Sequence, residues 1–314
     1  MNNKPLQPPA YVGFGMLTDV AILVVEQLPE HNTGALIKDV SDFVFDDAAI
    51  IACLLRQWDM STGMIGTAVG DDTRGRNLAQ RLKEWGVEGE VRFSPDIKTP
   101  LEVDISDQTG ARTYFWQREK HVLDTLDTAD LSLLDGAQML YVDWYDGDHI
   151  VRAMDEANRL NVPVFLNMEH AHSDPALLER YAGRTCICQA VTDAAQKDES
   201  DPLDVALKLI RRGVETAIIT LASEGSLVVS GDEAIRAYAP QMVAVDGCGA
   251  GATYSAGFIY GYLLGWSLEE SVRFATAAAS LKVTRAGLEM FPFEEIKTLA
   301  AKIEIERLAI PAGD

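Results

Sequence analysis

Between Ala137 and Leu221 the chain alternates short apolar runs with segments of helical spacing. AQMLYVD (137–143), VPVFLN (162–167), TCIC (185–188) and TAIITL (216–221) read as strands, with helices over 148–160 and 202–213. Strands without a polar face are buried on both sides, and strands separated by helices run parallel because each crossover returns the chain to the same edge. The predicted fold class is therefore α/β, a central, mostly parallel sheet with helices on both faces. Ahead of this region, YVGFG (11–15) continues through DVAILVVEQL (19–28) as a strand signal, and GMIGTAVG (63–70) reads as a buried strand. DDAAIIACLLRQW (46–58) and residues 73–85 read as helices, the first opening on two acids that suit the positive end of a helix dipole. Behind it, GSLVVSG and AIRAYAP form a hairpin, followed by helices over 250–264, 267–284 and 293–305.

Two stretches do not fit that alternation. GALIKDVSDFVF (34–45) looks like a strand. EGEVRFSP, TPLEVDISD and ARTYFWQ, within 88–118, are short alternating segments punctuated by Pro95, Pro100 and Gly110, which is a hairpin pattern. Together they predict a small β lid, discontinuous in sequence and formed by about 34–45 and 88–118. It would cover the carboxyl edge of the sheet, where open α/β folds bind ligands. The whole chain, 1–314, is then a single α/β domain carrying this lid.

Composition narrows the partners. With 47% hydrophobic residues in 314, the chain can bury a large core. A formal net charge of −21 argues against nucleic acid, since phosphate-backbone binding depends on Lys and Arg. No apolar run reaches the length of a membrane span, and MNNKPLQPPAYVGFG lacks a basic segment followed by an apolar one. Cys186 and Cys188 form a C-x-C pair, a poor spacing for a metal knuckle, and Cys53 and Cys248 stand apart. A reducing, cytoplasmic setting is expected. His170 and His172 have no further His or Cys nearby and make a poor metal site.

VAVDGCGAGATYSAGFIYGYLLG (243–265) joins a strand, a glycine-rich turn and a helix. Gly247, Gly249 and Gly251 alternate through the turn. Such a turn aims free N–H groups at one point beside the positive end of a helix dipole, where phosphate or a developing oxyanion can sit. The residue after the last glycine is Ala252, whose methyl group carries no chemistry.

IGTAVGDDTRGRNLAQRLKEWGV (65–87), IITLASEGSLVV (218–229), VDGCGAGATYSAGFIYGYLLG (245–265) and ASLKVTRAG (279–287) occur in one order along the chain. Together they resemble the ribokinase-like, PfkB-type carbohydrate kinase family, over Tyr11 to about Leu308. The resemblance implies a three-layer sandwich with a β lid that often pairs two subunits. It implies transfer of the ATP γ-phosphate to a hydroxyl of a sugar, polyol or related molecule, with ATP and Mg2+ as cofactors. It assigns Gly249, Ala250 and Gly251 to the anion hole, and position 252 to a general base that is normally aspartate. It assigns Thr220, Ala222, Gly225, Gly247 and Lys282 to the nucleotide, and Asp19 to sugar hydroxyls. Asp193 falls at the glutamate of the metal-water motif, with Glu169 as a second candidate for that shell.

The chain departs from the family pattern at three places. Ala252 replaces the base. Val44 and Phe45 stand where two glycines are usual, and Ala49 where an asparagine is usual. Ala190 stands at the asparagine of the metal motif. Asp46 and Asp47 either bind a ligand or only cap their helix. Arg112 and Arg118 either meet a phosphate or acidic substrate or pair with acids. Tyr114, Phe115 and Trp116 either pack the lid or stack on a sugar. Three readings follow: a carbohydrate kinase whose aspartate has been replaced, a natural member that binds without transferring phosphate, and a kinase whose base has moved to Asp246 or Asp47.

Overall fold

The structure is a computed structural model, and it describes residues 8–109, 111–192, 200–287 and 291–310. Strand β1 (Tyr11–Gly15) is buried at every residue, as an interior strand of a parallel sheet requires. It pairs in parallel with β4 (Thr62–Gly66) on one side and β9 (Met139–Asp143) on the other. The parallel run continues through β10 (Val164–Glu169), β11 (Ile187–Val191) and β12 (Thr216–Thr220). Antiparallel strands β13 (Ser226–Ser230), β14 (Glu233–Tyr238) and β15 (Glu304–Arg307) complete a nine-stranded sheet among the described residues.

Period-two alternation divides the core into two apolar layers. Tyr11, Tyr141, Phe165 and Ile218 face helices α1 (Asp47–Gln57), α2 (Thr73–Trp85), α6 (Ala250–Leu263), α7 (Leu268–Lys282) and α8 (Phe293–Ala300). Val12, Val142, Leu166 and Ile219 face α3 (Val151–Arg159), α4 (Pro175–Tyr181) and α5 (Pro202–Ile210). Each of these side chains contributes roughly 1.5–3 kcal/mol by leaving water. Helix ends follow local chemistry. Asp72 caps α2 through Gly75 N, and Gly86 ends that helix at φ 74°. Ser267 and Glu270 form a reciprocal capping box on α7.

The smaller sheet has the order β3-β2-β7-β8, built from β2 (Thr18–Val25), β3 (Ile37–Phe45), β7 (Leu101–Ser106) and β8 (Arg112–Gln117). It differs from the sequence reading in two ways. The apolar run after Gly15 does not continue β1: the chain turns at Met16 and Leu17, and β2 joins the lid. Within 88–118, Phe93–Ser94 (β6) pairs with Val69–Gly70 (β5) instead of with the lid. At the other end, the helix expected over 293–305 stops at Ala300, and Glu304–Arg307 pairs with β14.

Candidate active site

Because β1, β9, β10, β11 and β12 are parallel, their carboxyl ends share one edge. Helix α6 starts at the same edge. Its N-cap Gly249 has φ 74°, a left-handed conformation that glycine adopts without a Cβ penalty, and no side chain caps the helix. Several first-turn N–H groups therefore lack intrahelical acceptors at the positive end of the dipole. A Cβ on Gly251 would meet nothing within 4 Å, so this backbone is open to a ligand. Ala252 is 0% exposed, and its methyl joins the apolar layer that contains α1.

Three of the expected site residues are engaged within the protein itself. Asp246 and Lys282 are both fully buried and hold each other at 3.0 Å. Asp246 also accepts from Cys248 N, Gly287 N and the Ser106 hydroxyl. Both side chains are taken up by partners within the protein, and Asp246 is not placed as a relocated base. Asp19 is held by Arg74 at 2.8 Å and Arg81 at 3.0 Å. Its strand neighbours Val20 and Ile22 instead pack on Cys248 in the glycine turn. Alternation along β2 puts Asp19 on the other face, toward α2.

A crowd of carboxyls surrounds the start of α1. Asp46, Asp143 and Asp146 are fully buried. Asp46 accepts from Asp47 N at 2.7 Å and from the Tyr145 hydroxyl. Asp143 accepts from the Tyr141 hydroxyl at 3.1 Å, and Asp146 from Met16 N at 3.3 Å. A Cβ on Gly15 would lie 2.7 Å from Asp146 Oδ2 and 2.8 Å from Asp46 Oδ2, so only glycine fits between them. Asp47 is half-buried, accepts from Asn167 Nδ2 at 3.3 Å, and shares its surroundings with Glu169.

These acids are short of water and near one another. Burial, then the charges of Glu169 and Asp46, push Asp47 up to about 8. Burial raises Asp46 to about 6. Burial, then Asp104, raises Glu102 to about 7. Asp143 and Asp146 rise for the same reasons, burial first and Asp46 next. Arg112 faces this group from β8. Desolvation lowers its pKa, but the acidic groups around it, Asp104, Asp47 and Glu169 among them, outweigh that and hold it above its ordinary value. Glu169 has φ 43°, beside a register shift between β10 and β11. A non-glycine residue held there is strained, and such strain concentrates at binding sites.

The lid closes over this region. Ser106 bonds Asp246 at 2.7 Å and Cys248 bonds Asp104 at 2.7 Å. Tyr114 and Trp116 stack at 5.4 Å and pair across β7 with Asp104 and Glu102, so they share the face turned to the glycine turn. Phe115 lies on the opposite face. Farther along the edge, Thr220 donates to Ala190 O at 3.3 Å, Ala222 has φ 49°, and Gly225 has φ 98°. Asp193 lies outside the described residues. Sequence reasoning passed over Glu102, Asp104, Asp143, Tyr145, Asp146 and Asn167. Asp143 ends the run AQMLYVD and Asn167 ends VPVFLN, so carboxyl-end position in a parallel sheet was the available signal.

Residues 47–294 match the family described as pfkB family carbohydrate kinase. A nucleoside kinase of Methanothermobacter thermautotrophicus is 27% identical over 277 residues, covering 85% of this chain and 87% of that protein. Among solved structures, Arabidopsis thaliana ribokinase complexed with ribose and ATP superposes with a TM-score of 0.73 at 20% identity, over 93% of this chain and 98% of that one. Burkholderia thailandensis nucleoside kinase in complex with inosine gives 0.73 at 16% identity, over 93% and 96%. The fold is thus the ribokinase-like α/β sandwich, and by its sequence the chain belongs to the pfkB family of carbohydrate kinases.

Proposed function

We propose that the protein binds ATP and transfers its γ-phosphate to a hydroxyl of a sugar, polyol or nucleoside held beneath the lid. The observation that carries this reading is the uncapped, glycine-lined start of α6, opening on the sheet edge that the lid covers. Phosphoryl transfer depends mainly on positioning and electrostatic stabilisation, and the free N–H groups of this turn supply both for a phosphate. Asp47, Glu169 and the lid's Glu102 offer oxygen donors to a polyhydroxy acceptor, and Tyr114 with Trp116 offers a flat surface for a ring.

Magnesium fits this donor set. It is a hard cation that one or two carboxylates hold together with water and substrate phosphates. Asp47 and Glu169 are the residues that would hold it, and it would neutralise phosphate charge in a site rich in acids. Four cysteines, all free, support a reducing compartment and a cytoplasmic setting. No described helix is long and apolar enough to cross a membrane.

Ala252 supports a second reading, a member that binds nucleotide and ligand without transfer. A methyl group neither orients a hydroxyl nor accepts its proton. Both readings require the nucleotide site. Calorimetry with ADP and magnesium tests it: binding is expected at or below millimolar concentration, about −4 kcal/mol or better. No heat at millimolar nucleotide would remove the anion site from this account.

A further inference from the structure

Lys282 is the last residue of α7 and is fully buried. Its ammonium donates to Asp246 Oδ2 at 3.0 Å, Asp246 O at 3.1 Å and Arg285 O at 3.3 Å. Three N–H donors thus meet three oxygens drawn from two segments. Asp246 then distributes its own acceptors. Oδ1 takes Cys248 N at 2.9 Å and the Ser106 hydroxyl at 2.7 Å, and Oδ2 takes Gly287 N at 3.0 Å. Backbone bonds from Val245 N and Asp246 N to Val283 O bind the same two segments. The ion pair therefore joins the glycine turn, the loop after α7 and lid strand β7 at one point. Its stem also lies under the turn: a Cβ on Gly249 would stand 3.9 Å from Lys282 Cε.

A buried ion pair is weak evidence for stability, because well-packed apolar groups of the same size often do as well. What apolar groups cannot do is fix peptide planes by hydrogen bonds. Here the bonds end on Cys248 N, inside the turn, and on Ser106, in the lid. We infer that Lys282 is a positioning residue for phosphate binding. Its ammonium acts as an internal cation that orients the peptides of residues 246–249, so that the following N–H groups converge on an anion, and that ties the turn to the lid. The inference rests on the nucleotide site proposed above.

The test uses the full chain and MgADP. Lys282→Ala is expected to weaken MgADP binding by about tenfold or more, the scale of a lost charge-assisted hydrogen bond. Methylammonium added to this variant is expected to recover part of that affinity, because the space vacated by the side chain offers a small ammonium the same three oxygens. A role confined to stability would lower the melting temperature without that recovery. Asp246→Asn keeps the shape and is the second arm, should Lys282→Ala not fold; it too is expected to bind MgADP about tenfold more weakly. A folded Lys282→Ala that binds like the unaltered chain, or loses binding with no recovery in methylammonium, overturns the inference. Unchanged binding in Asp246→Asn does the same. If the unaltered chain binds no MgADP, the nucleotide reading fails first and the inference goes with it.

Discussion

At position 252 a methyl group fills space against the layer that contains α1, and the residue is fully buried. An aspartate introduced there keeps its backbone place beside Gly251, whose surroundings are open, and must turn its carboxyl toward that opening. Ala252→Asp is expected to raise ATP-dependent phosphorylation by ~10²–10⁴-fold, the contribution of a positioned general base. ADP release across sugars, sugar acids, polyols and nucleosides reads the outcome. No gain on any of them, with MgADP still bound, would favour the binding-only reading and move attention to Val44, Phe45 and Ala49. A second residue-scale prediction concerns Asp47. Its folded pKa of about 8 stands above the ordinary 3.8, so the folded state keeps a proton that the unfolded chain releases. The stability this adds is complete below the unfolded value and is lost as pH rises through the folded one. Asp46, at about 6, and Glu102, at about 7, act in the same direction. Without magnesium, the melting temperature is expected to fall between about pH 4 and about pH 8, and Asp47→Asn to flatten that fall. Equal slopes in the two proteins would mean that Asp47 is already charged and paired.

Among the elements, the loop after β12 gives the sharpest test. A Cβ on Gly225 would stand 2.1 Å from Ala237 O, and its φ is 98°. Gly225→Ala is expected to cost about 1–3 kcal/mol and, if this loop borders the nucleotide as proposed, to weaken MgADP binding. Gly183→Ala, with nothing within 4 Å of its new Cβ, is the matched control and leaves both quantities unchanged. The elements also show what local pattern can and cannot reveal. Strands β1, β9, β10 and β12 were legible because an unbroken apolar run has few other homes. Strand β2 was not, since the run from Thr18 to Val25 looks the same whether it extends β1 or leaves for another sheet; its pairing with β3 and β7 decides. Asp19 was matched to the substrate through the family resemblance alone; its pairing with Arg74 and Arg81 follows from the face it takes on β2, and register is not written in a single segment. Asp143, Asp146 and Asn167 escaped notice because they come together only when separate strand ends meet around Gly15 and α1. The expected helix over 293–305 ran into Glu304 and Ile305 because the strand character of EIER (304–307) depends on the partner β14.

For the whole molecule, the lid presents two faces of opposite use. Val20, Ile22, Asp104 and Ser106 are buried against the body of the protein. On the other face, Leu23 lies between Val40 and Ile105, and Val103 between Ala21 and Phe115. Val40 is 56% exposed and Phe115 62%, so this apolar face is open to water in a single chain. A contiguous apolar sheet face of this kind calls for cover, and an identical lid related by a two-fold axis supplies it. A homodimer is therefore expected by light scattering at micromolar concentration, and Phe115→Glu with Val40→Glu is expected to give monomers. Because the glycine turn proposed to hold the phosphates is built within one chain, those monomers should still bind MgADP. Loss of binding on dissociation would show instead that the lid needs its partner to hold Ser106 on Asp246. Charge adds a discriminating feature. Each chain carries a formal −21, so two copies repel at long range, and salt screens that repulsion over a Debye length of about 10 Å at 0.1 M. If apolar cover drives pairing, the dimer should strengthen as salt is raised. If the copies were held by ion pairs between lid edges, it should weaken, and a monomer at every ionic strength would leave the outer face of the lid without the partner proposed for it.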